Sequence, residues 1–158
     1  MAEILTYLEL AGPDRLRPAA PVPGVELDPV DAADPLVRDV QVRIGGPYGW
    51  SSTGWTDEQW TASLRRMSHW IVRHDGAAAG LVSLRGYPGG EVEIGTFGLV
   101  PEYVGRGIGG YALTLAVRQA YAVPGTRRVW LHTSSKDHPN AMRNYLARGF
   151  QPYRTEVH

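Results

Sequence analysis

Four glycines lie within six residues of this chain, at Gly105, Gly107, Gly109 and Gly110. They follow an apolar run typical of a strand and open a segment with helical periodicity. Backbone N–H groups at such a helix start can point at a bound anion, and glycines leave the approach unobstructed. Arg106 adds a positive charge to the same turn. The pattern predicts a phosphate-binding loop; a tight turn that needs a positive φ angle is the alternative explanation.

The same turn must be tested against two nucleotide-binding motifs. Gly105, Gly107 and Gly110 spell G-x-G-x-x-G, the dinucleotide fingerprint, which also needs an acidic residue at the tip of the next strand. That strand, RRVWLHT, carries none. A P-loop needs Gly-Lys-Ser/Thr, and the chain has no such triplet. Both nucleotide interpretations are therefore disfavoured.

Two carboxylates, Glu91 and Glu93, precede the loop on its strand. Residues two apart on a strand project to one face, and we expect both to share the face of Phe97 and Leu99. A charged side chain in a central strand costs free energy unless it has a partner or a role. The pair is either a solvated or ion-paired strand face, or it contains a general base. His132, at the end of the next strand, is another candidate base, with a structural role as the alternative.

The elements that position these groups follow from periodicity and turn residues. Predicted strands cover Ile4–Leu10, Trp70–His74, Gly80–Arg85, Glu91–Val100, Val129–Thr133 and Tyr153–Val157, and predicted helices cover residues 35–44, 56–67, 107–121 and 140–147. The proline-rich segment Ala11–Pro29 is expected to be irregular. The order β-α-α-β-β-β-α-β-α-β predicts one α/β (α+β) domain over residues 1–158, with a mixed sheet and helices on both faces.

Composition narrows the function classes. The chain has no cysteine, which excludes disulfides, thiolate metal sites and a cysteine nucleophile. Sixteen basic residues balance sixteen acidic ones, so nothing steers the chain toward nucleic acid. No run approaches the ~20 apolar residues of a membrane helix, and the first residues lack a secretory signal. We expect a cytoplasmic protein without nucleic-acid or membrane partners, and the stretch HTSSKDH offers no metal site.

Residues from about Leu81 to Phe150 resemble the GNAT superfamily of acyl-coenzyme A-dependent N-acyltransferases. The family's pyrophosphate loop reads Gln/Arg-x-x-Gly-x-Gly/Ala after a strand and a Pro-containing turn. Gly107 and Gly109 take the two glycine positions and Pro101 lies in the turn, while Val104 replaces Gln/Arg. The resemblance implies a GNAT-like, mostly antiparallel central sheet.

A second family pattern, Tyr-x-x-x-Gly-Phe, lies on the helix after the next strand. Tyr145, Gly149 and Phe150 match it, and Ala141 also agrees. The family's Asn, three residues before that Ala, is His138 here. The resemblance implies that Tyr145 protonates the departing coenzyme A thiolate.

The resemblance also implies the remaining site residues. Glu93 stands fourteen residues before Gly107, the spacing of the general base in histone-acetyltransferase-like members, and Glu91 is second choice. Either Asn140 or His138 would bind the pantetheine amides. The implied cofactor-binding residues are Phe97, Gly98, Leu99, Gly105, Arg106, Gly107, Ile108, Gly109, Gly110 and Asn140.

The resulting hypothesis is an N-acetyltransferase that moves an acetyl group from acetyl-CoA to a primary amine by direct attack in a ternary complex. The acceptor is expected to be a small molecule, with a peptide amine left open, and a homodimer is compatible with the sequence. Tyr48, Trp50, Trp55 and Trp60 would shape the acceptor pocket, although packing in the core is the favoured explanation for Trp60. The alternative function is a non-catalytic acyl-CoA-binding sensor.

Overall fold

The computed structural model describes residues 2–158, and local sequence signals begin its helices where expected. Asp34 caps the first helix by accepting a hydrogen bond from the Leu36 N–H at 2.9 Å. Thr56 and Gln59 form both bonds of a capping box at the second. The helices are α1 (Pro35–Gly45), α2 (Asp57–Arg65), α3 (Gly109–Ala122) and α4 (Pro139–Ala147). None of the helices within residues 2–158 has the length and apolar character that crossing a bilayer requires.

Seven strands form one sheet. They are β1 (Ile4–Leu10), β2 (Val25–Val30), β3 (Ser68–His74), β4 (Ala77–Tyr87), β5 (Glu91–Leu99), β6 (Arg128–Ser134) and β7 (Gln151–Val157). Their spatial order is β2-β3-β4-β5-β6-β1-β7. Every neighbouring pair is antiparallel except β5 and β6, which are parallel because α3 crosses over between them. The predicted fold class, a mixed and mostly antiparallel sheet with helices on both faces, is confirmed.

Each face of the sheet has its own apolar core. Helix α3 packs Leu113 and Val117 against one face, where α4 also contributes. Helices α1 and α2 cover the other face over β3 and β4, with Val37 and Val40 at the centre. Consecutive residues of β3 alternate between the two cores, as the strand period requires. Helices α1 and α4 therefore lie on opposite faces of the sheet. The glycine loop connects β5 of this sheet to α3.

The prediction of an irregular segment over Ala11–Pro29 is wrong at its end. Val25–Val30 forms β2, which pairs antiparallel with β3 at the edge of the sheet. Proline cannot donate to a strand ladder, but an edge strand tolerates it, and Pro29 lies opposite Trp70. Burial of Val25, which is 7% exposed, stabilises the pairing. The sheet therefore has one strand more than was predicted, because the proline content of this segment argued against a strand.

A β-bulge changes which residues of β5 face the core. The register with β4 shifts so that Gly95 is the additional residue. Before it, Ile94 packs into the core under α3, and three residues later Phe97 packs against the same core. Glu91 and Glu93 alternate with the core residues before the bulge and project from the opposite face of the sheet. The expectation that they share the face of Phe97 is therefore wrong.

Candidate active site

The centre of the sheet opens between its two parallel strands. Residues Glu91–Glu93 of β5 pair with Arg128–Trp130 of β6, and beyond Glu93 the strands diverge. The end of β5, Phe97–Leu99, still pairs with β4 on one side but has no strand partner on the other. Its main-chain N–H and C=O groups on that side are available to a ligand. Ligands of α/β sheets bind beyond the carboxyl ends of parallel strands, and this opening lies at such a place.

A cavity of about 310 Å³ fills this opening, and we refer to it as the first cavity. Its walls are the end of β5, the glycine loop, the start of α4 and one side of the aromatic loop after α1. The residues lining it are Ile44, Tyr48, Trp50, Phe97, Gly98, Leu99, Val104, Gly105, Gly107, Gly109, Gly110, Asp137, His138, Asn140, Ala141, Asn144 and Tyr145. Most of the predicted cofactor-binding residues are therefore brought together around one space.

The glycine loop exposes backbone donors to this space. Gly105 and Gly107 have φ angles of +80° and +77°, which side chains other than glycine rarely adopt. Helix α3 has no side-chain cap, and its first internal hydrogen bond runs from the Ala112 N–H to the Ile108 carbonyl. The N–H groups of Gly109 and Gly110 consequently have no partner inside the helix. These free donors and the helix dipole make the turn suited to an anion.

Two predicted loop residues do not line the first cavity. Ile108 is 1% exposed and its side chain lies in the core, so only its backbone can face a ligand. The Arg106 guanidinium lies 4.9 Å from the ring centre of Tyr103, a cation–π contact on the outside of the loop.

A second arginine, Arg148 at the C-cap of α4, lies beside the start of α3. A Cβ atom on Gly110 would lie 2.5 Å from Nη1 of Arg148, so the guanidinium packs directly against that glycine. Asn144 on the same helix donates a hydrogen bond to the Gly109 carbonyl at 3.0 Å. Asn140, Asn144 and Arg148 are spaced four residues apart, which places them along one face of α4 and its C-cap. The spacing was visible in the sequence, but it matched no motif and Arg148 was missed.

Tyr145 lies on α4 in the wall of the first cavity. It is 7% exposed, and its ring lies between Phe97 and Phe150, with ring centres 6.5 and 6.1 Å away. Burial, and secondarily the negative charge of Asp137, raise the pKa of its hydroxyl well above its usual value of 10. The phenol therefore stays protonated at neutral and moderately alkaline pH.

A second cavity, of about 520 Å³, adjoins the first. Its lining comes from the aromatic loop, the β5 bulge and the end of β6: Glu3, Leu5, Gln41, Tyr48, Gly49, Trp50, Ser51, Ser52, Trp55, Ile94, Gly95, Thr96, Phe97, Leu131, His132, Ser134, Lys136, Asp137 and Tyr145. Five residues line both cavities and form the boundary between them: Tyr48, Trp50, Phe97, Asp137 and Tyr145. The two cavities therefore share a wall that contains Tyr145.

Asp137 organises this boundary. One carboxylate oxygen accepts a hydrogen bond from the Trp50 indole N–H at 3.0 Å. The other accepts from the Thr133 hydroxyl at 2.8 Å and from the Ser134 N–H at 2.9 Å. Asp137 therefore fixes the turn after β6 and ties the aromatic loop to it. No local sequence pattern predicts this contact, because it joins residues 87 positions apart.

The predicted base candidates lie in different places. The Glu93 carboxylate accepts a hydrogen bond from the Tyr87 hydroxyl at 2.8 Å and lines neither cavity. Glu91 is ion-paired with Arg128 at 2.8 Å. His132 is exposed and lines the second cavity.

The remaining candidates divide between cavity and scaffold. His138 caps α4 by accepting from the Asn140 N–H at 3.0 Å, and both residues line the first cavity. Tyr48, Trp50 and Trp55 of the aromatic loop line the second cavity. Trp60 is 2% exposed and belongs to the core under α1, as favoured from the sequence. Within residues 2–158 no group of three or more His, Asp or Glu side chains could hold a metal ion.

Sequence comparison decides the family. The sequence model of the acetyltransferase (GNAT) family matches residues 38–150, which include the glycine loop and the boundary residues Tyr48, Trp50, Phe97, Asp137 and Tyr145. The chain belongs to the GNAT acetyltransferase family. No curated protein matches this GNAT chain by sequence.

Solved structures share the fold of this GNAT chain. A GCN5-related N-acetyltransferase from Kribbella flavida superposes with a TM-score of 0.70 at 22% identity, over 98% of this chain and 56% of that one. A GCN5-related N-acetyltransferase from Sphaerobacter thermophilus gives 0.69 at 16% identity, over 99% and 50%. A GNAT family acetyltransferase from Elizabethkingia anophelis with acetyl-CoA bound gives 0.50 at 16%, over 64% and 60%. This chain thus spans between half and two thirds of the length of these relatives.

Proposed function

We propose that this GNAT chain transfers an acetyl group from acetyl-CoA to a primary amine of a small molecule, by direct attack within a ternary complex. The observation that carries the proposal is the pair of adjoining cavities with Tyr145 in their shared boundary. One cavity would hold the donor and the other the acceptor, so that amine and thioester meet without an acyl-enzyme. Holding both reactants in one orientation is itself a large part of such catalysis.

The first cavity suits the donor. Free main-chain groups of Phe97–Leu99 would bind the pantetheine arm as an additional strand would, with Asn140 able to add a side-chain bond. The open N–H groups at Gly109 and Gly110 would hold the pyrophosphate. Arg148 packs against Gly110 without lining the cavity, and it would add a positive charge near the pyrophosphate in place of the family's Gln/Arg at Val104. The acetyl-CoA seen in the Elizabethkingia anophelis relative supports this donor.

Tyr145 would act on the leaving group. As the tetrahedral intermediate collapses, negative charge develops on the sulfur, and the neutral, buried phenol of Tyr145 can donate a hydrogen bond to it. The raised pKa of Tyr145 keeps that hydrogen in place. It also makes the phenol a weaker acid than a thiol, so we infer that Tyr145 mainly stabilises the thiolate by hydrogen bonding.

The amine must lose a proton before or during the attack. Glu93 stays the predicted base, and from its place outside both cavities it would receive the proton through water. His132 is the competing candidate because it lines the second cavity directly. Glu93→Gln and His132→Gln separate them: loss of kcat in only one variant, with unchanged acetyl-CoA affinity in both, assigns the base.

The experiment that tests the function combines binding and turnover. Calorimetry with acetyl-CoA, NAD and ATP should show binding of acetyl-CoA alone. Thiol release in the presence of a library of primary amines, against acetyl-CoA without amine, should then identify acceptors. Failure to bind acetyl-CoA would refute the proposal.

The second candidate function is an acyl-CoA-binding sensor. One observation favours it: both carboxylates that line the second cavity already have partners, Asp137 in three hydrogen bonds and Glu3 with the Ser134 hydroxyl. A sensor would bind acetyl-CoA and release no thiol with any amine.

A cytoplasmic location, a homodimer and the absence of nucleic-acid and membrane partners stay predictions.

A further inference from the structure

Two buried polar side chains in the second cavity have no protein partner. Gln41, on the inner face of α1, is 6% exposed, and Ser52, in the short turn Ser51–Gly54, is 4% exposed. The Oε1 atom of Gln41 and the Oγ atom of Ser52 are both buried without a hydrogen bond. Both residues line the second cavity.

This arrangement is costly for the fold. Gln41 follows Val40 and precedes Ile44 on the buried side of α1, where an apolar side chain would pack without loss. Nearly all buried polar groups in folded proteins have a partner, and one without a partner loses its hydration and gains nothing in return. Because both residues line the same cavity, these two unpartnered atoms point to a ligand there that supplies the missing bonds.

The chemistry of that ligand follows from its surroundings. Gln41 Oε1 needs a donor, and the Ser52 hydroxyl can both donate and accept. Of the charged residues that line the cavity, Asp137 and Glu3 are already hydrogen-bonded to other groups, and Lys136 is exposed on the turn after β6. Gln41 and Ser52 carry no charge themselves. An ionised group bound to these two side chains alone would be buried without a counter-charge, which is strongly unfavourable.

We propose that Gln41 and Ser52 determine acceptor specificity by binding an uncharged polar group, a hydroxyl or a carboxamide, at the end of the acceptor remote from its amine. The inference rests on the proposed function for the identity of the reacting end. The Trp50 and Trp55 rings, which line the same cavity, contact the apolar middle of the molecule. The acceptor class is therefore a small aromatic or apolar amine with a neutral hydrogen-bonding tail.

The test compares four amines that differ only at one end. Benzylamine has no tail, para-(hydroxymethyl)benzylamine and para-(aminomethyl)benzamide have neutral polar tails, and para-(aminomethyl)benzoate has an anionic one. Binding to the protein saturated with coenzyme A is measured by calorimetry and by indole fluorescence. We expect the neutral polar tails to bind about tenfold tighter than benzylamine, and the carboxylate more weakly than either.

Matched variants assign the effect to the two side chains. Gln41→Met keeps the length of the side chain and removes its hydrogen bonds, and Ser52→Ala removes only the hydroxyl. Each should reduce the preference for the carboxamide to about twofold, while Gln119→Met on α3, across the sheet, should keep it near tenfold. Gln41→Met should also raise Tm, because it removes an unpartnered buried amide, so failure to fold will not obscure the result.

The outcomes separate this inference from the proposed function. Equal binding of all four amines, or an unchanged preference in Gln41→Met, overturns the specificity assignment even if thiol release occurs. The expected preference without any thiol release confirms that Gln41 and Ser52 bind a neutral polar group, and refutes the transferase. Measuring the Kd of acetyl-CoA for each variant confirms that the first cavity is intact.

Discussion

Replacing Tyr145 by Phe removes one oxygen atom and leaves the aromatic packing in place. The ring keeps its contacts with Phe97 and Phe150, and no hydrogen bond between the hydroxyl and the described residues is lost. The free energy of unfolding should therefore change by less than about 1 kcal/mol. A donor that stabilises developing charge in a water-poor site is worth about 2.7 kcal/mol or more of barrier, so kcat should fall about 100-fold.

The assay is thiol release at saturating acetyl-CoA with the best amine of the library. Because burial raises the pKa of Tyr145, the hydroxyl stays protonated, and the loss should be constant between about pH 7 and about pH 9.5. The Kd for acetyl-CoA should be unchanged. Tyr121→Phe is the matched control: it breaks a 2.6 Å hydrogen bond to the Leu10 carbonyl, away from both cavities, and should cost stability but not turnover. Tyr145→Phe within twofold of the parent rate would refute the assigned role.

Three further predictions concern Arg148, His69 and Asp137. Arg148→Ala should weaken acetyl-CoA binding about tenfold in calorimetry, with a smaller salt dependence, whereas equal affinity would exclude a phosphate contact. Burial lowers the pKa of His69 below 6.5, so the unfolded chain takes up this proton first. The free energy of unfolding in urea should fall below about pH 6.5, by at most about 1.4 kcal/mol per pH unit, and this slope should vanish in His69→Gln. Asp137→Ala should release Trp50 and raise KM for the amine severalfold, and an unchanged KM would contradict the boundary described here.

Local signals explain what could be predicted from the sequence. Asp34, Thr56 and Gln59 begin helices through bonds that span two or three residues, so the sequence contains the whole interaction. The glycine loop could also be predicted, because free helix N–H groups and positive φ angles are determined within a few residues.

The features that could not be predicted depend on partners that lie far apart in the sequence. The bulge at Gly95 arises from the pairing of β5 with β4, and it reversed the face assigned to Glu93. The contact between Trp50 and Asp137, and the packing of Arg148 on Gly110, join segments that no local pattern connects. The motifs themselves could be read from the sequence, whereas the long-range contacts that hold them together could not.

The position of β1 affects how the chain can fold. It lies between β6 and β7, and its side-chain bonds reach partners 119 and 149 residues away. During synthesis β1 is made before both of its neighbours, β6 and β7, by roughly ten seconds at ordinary elongation rates. Leu8 and Leu10 stay unburied for that interval, and contacts of such long sequence separation form slowly. Closure of this half of the sheet is therefore expected to limit the folding rate and to expose the nascent chain to aggregation.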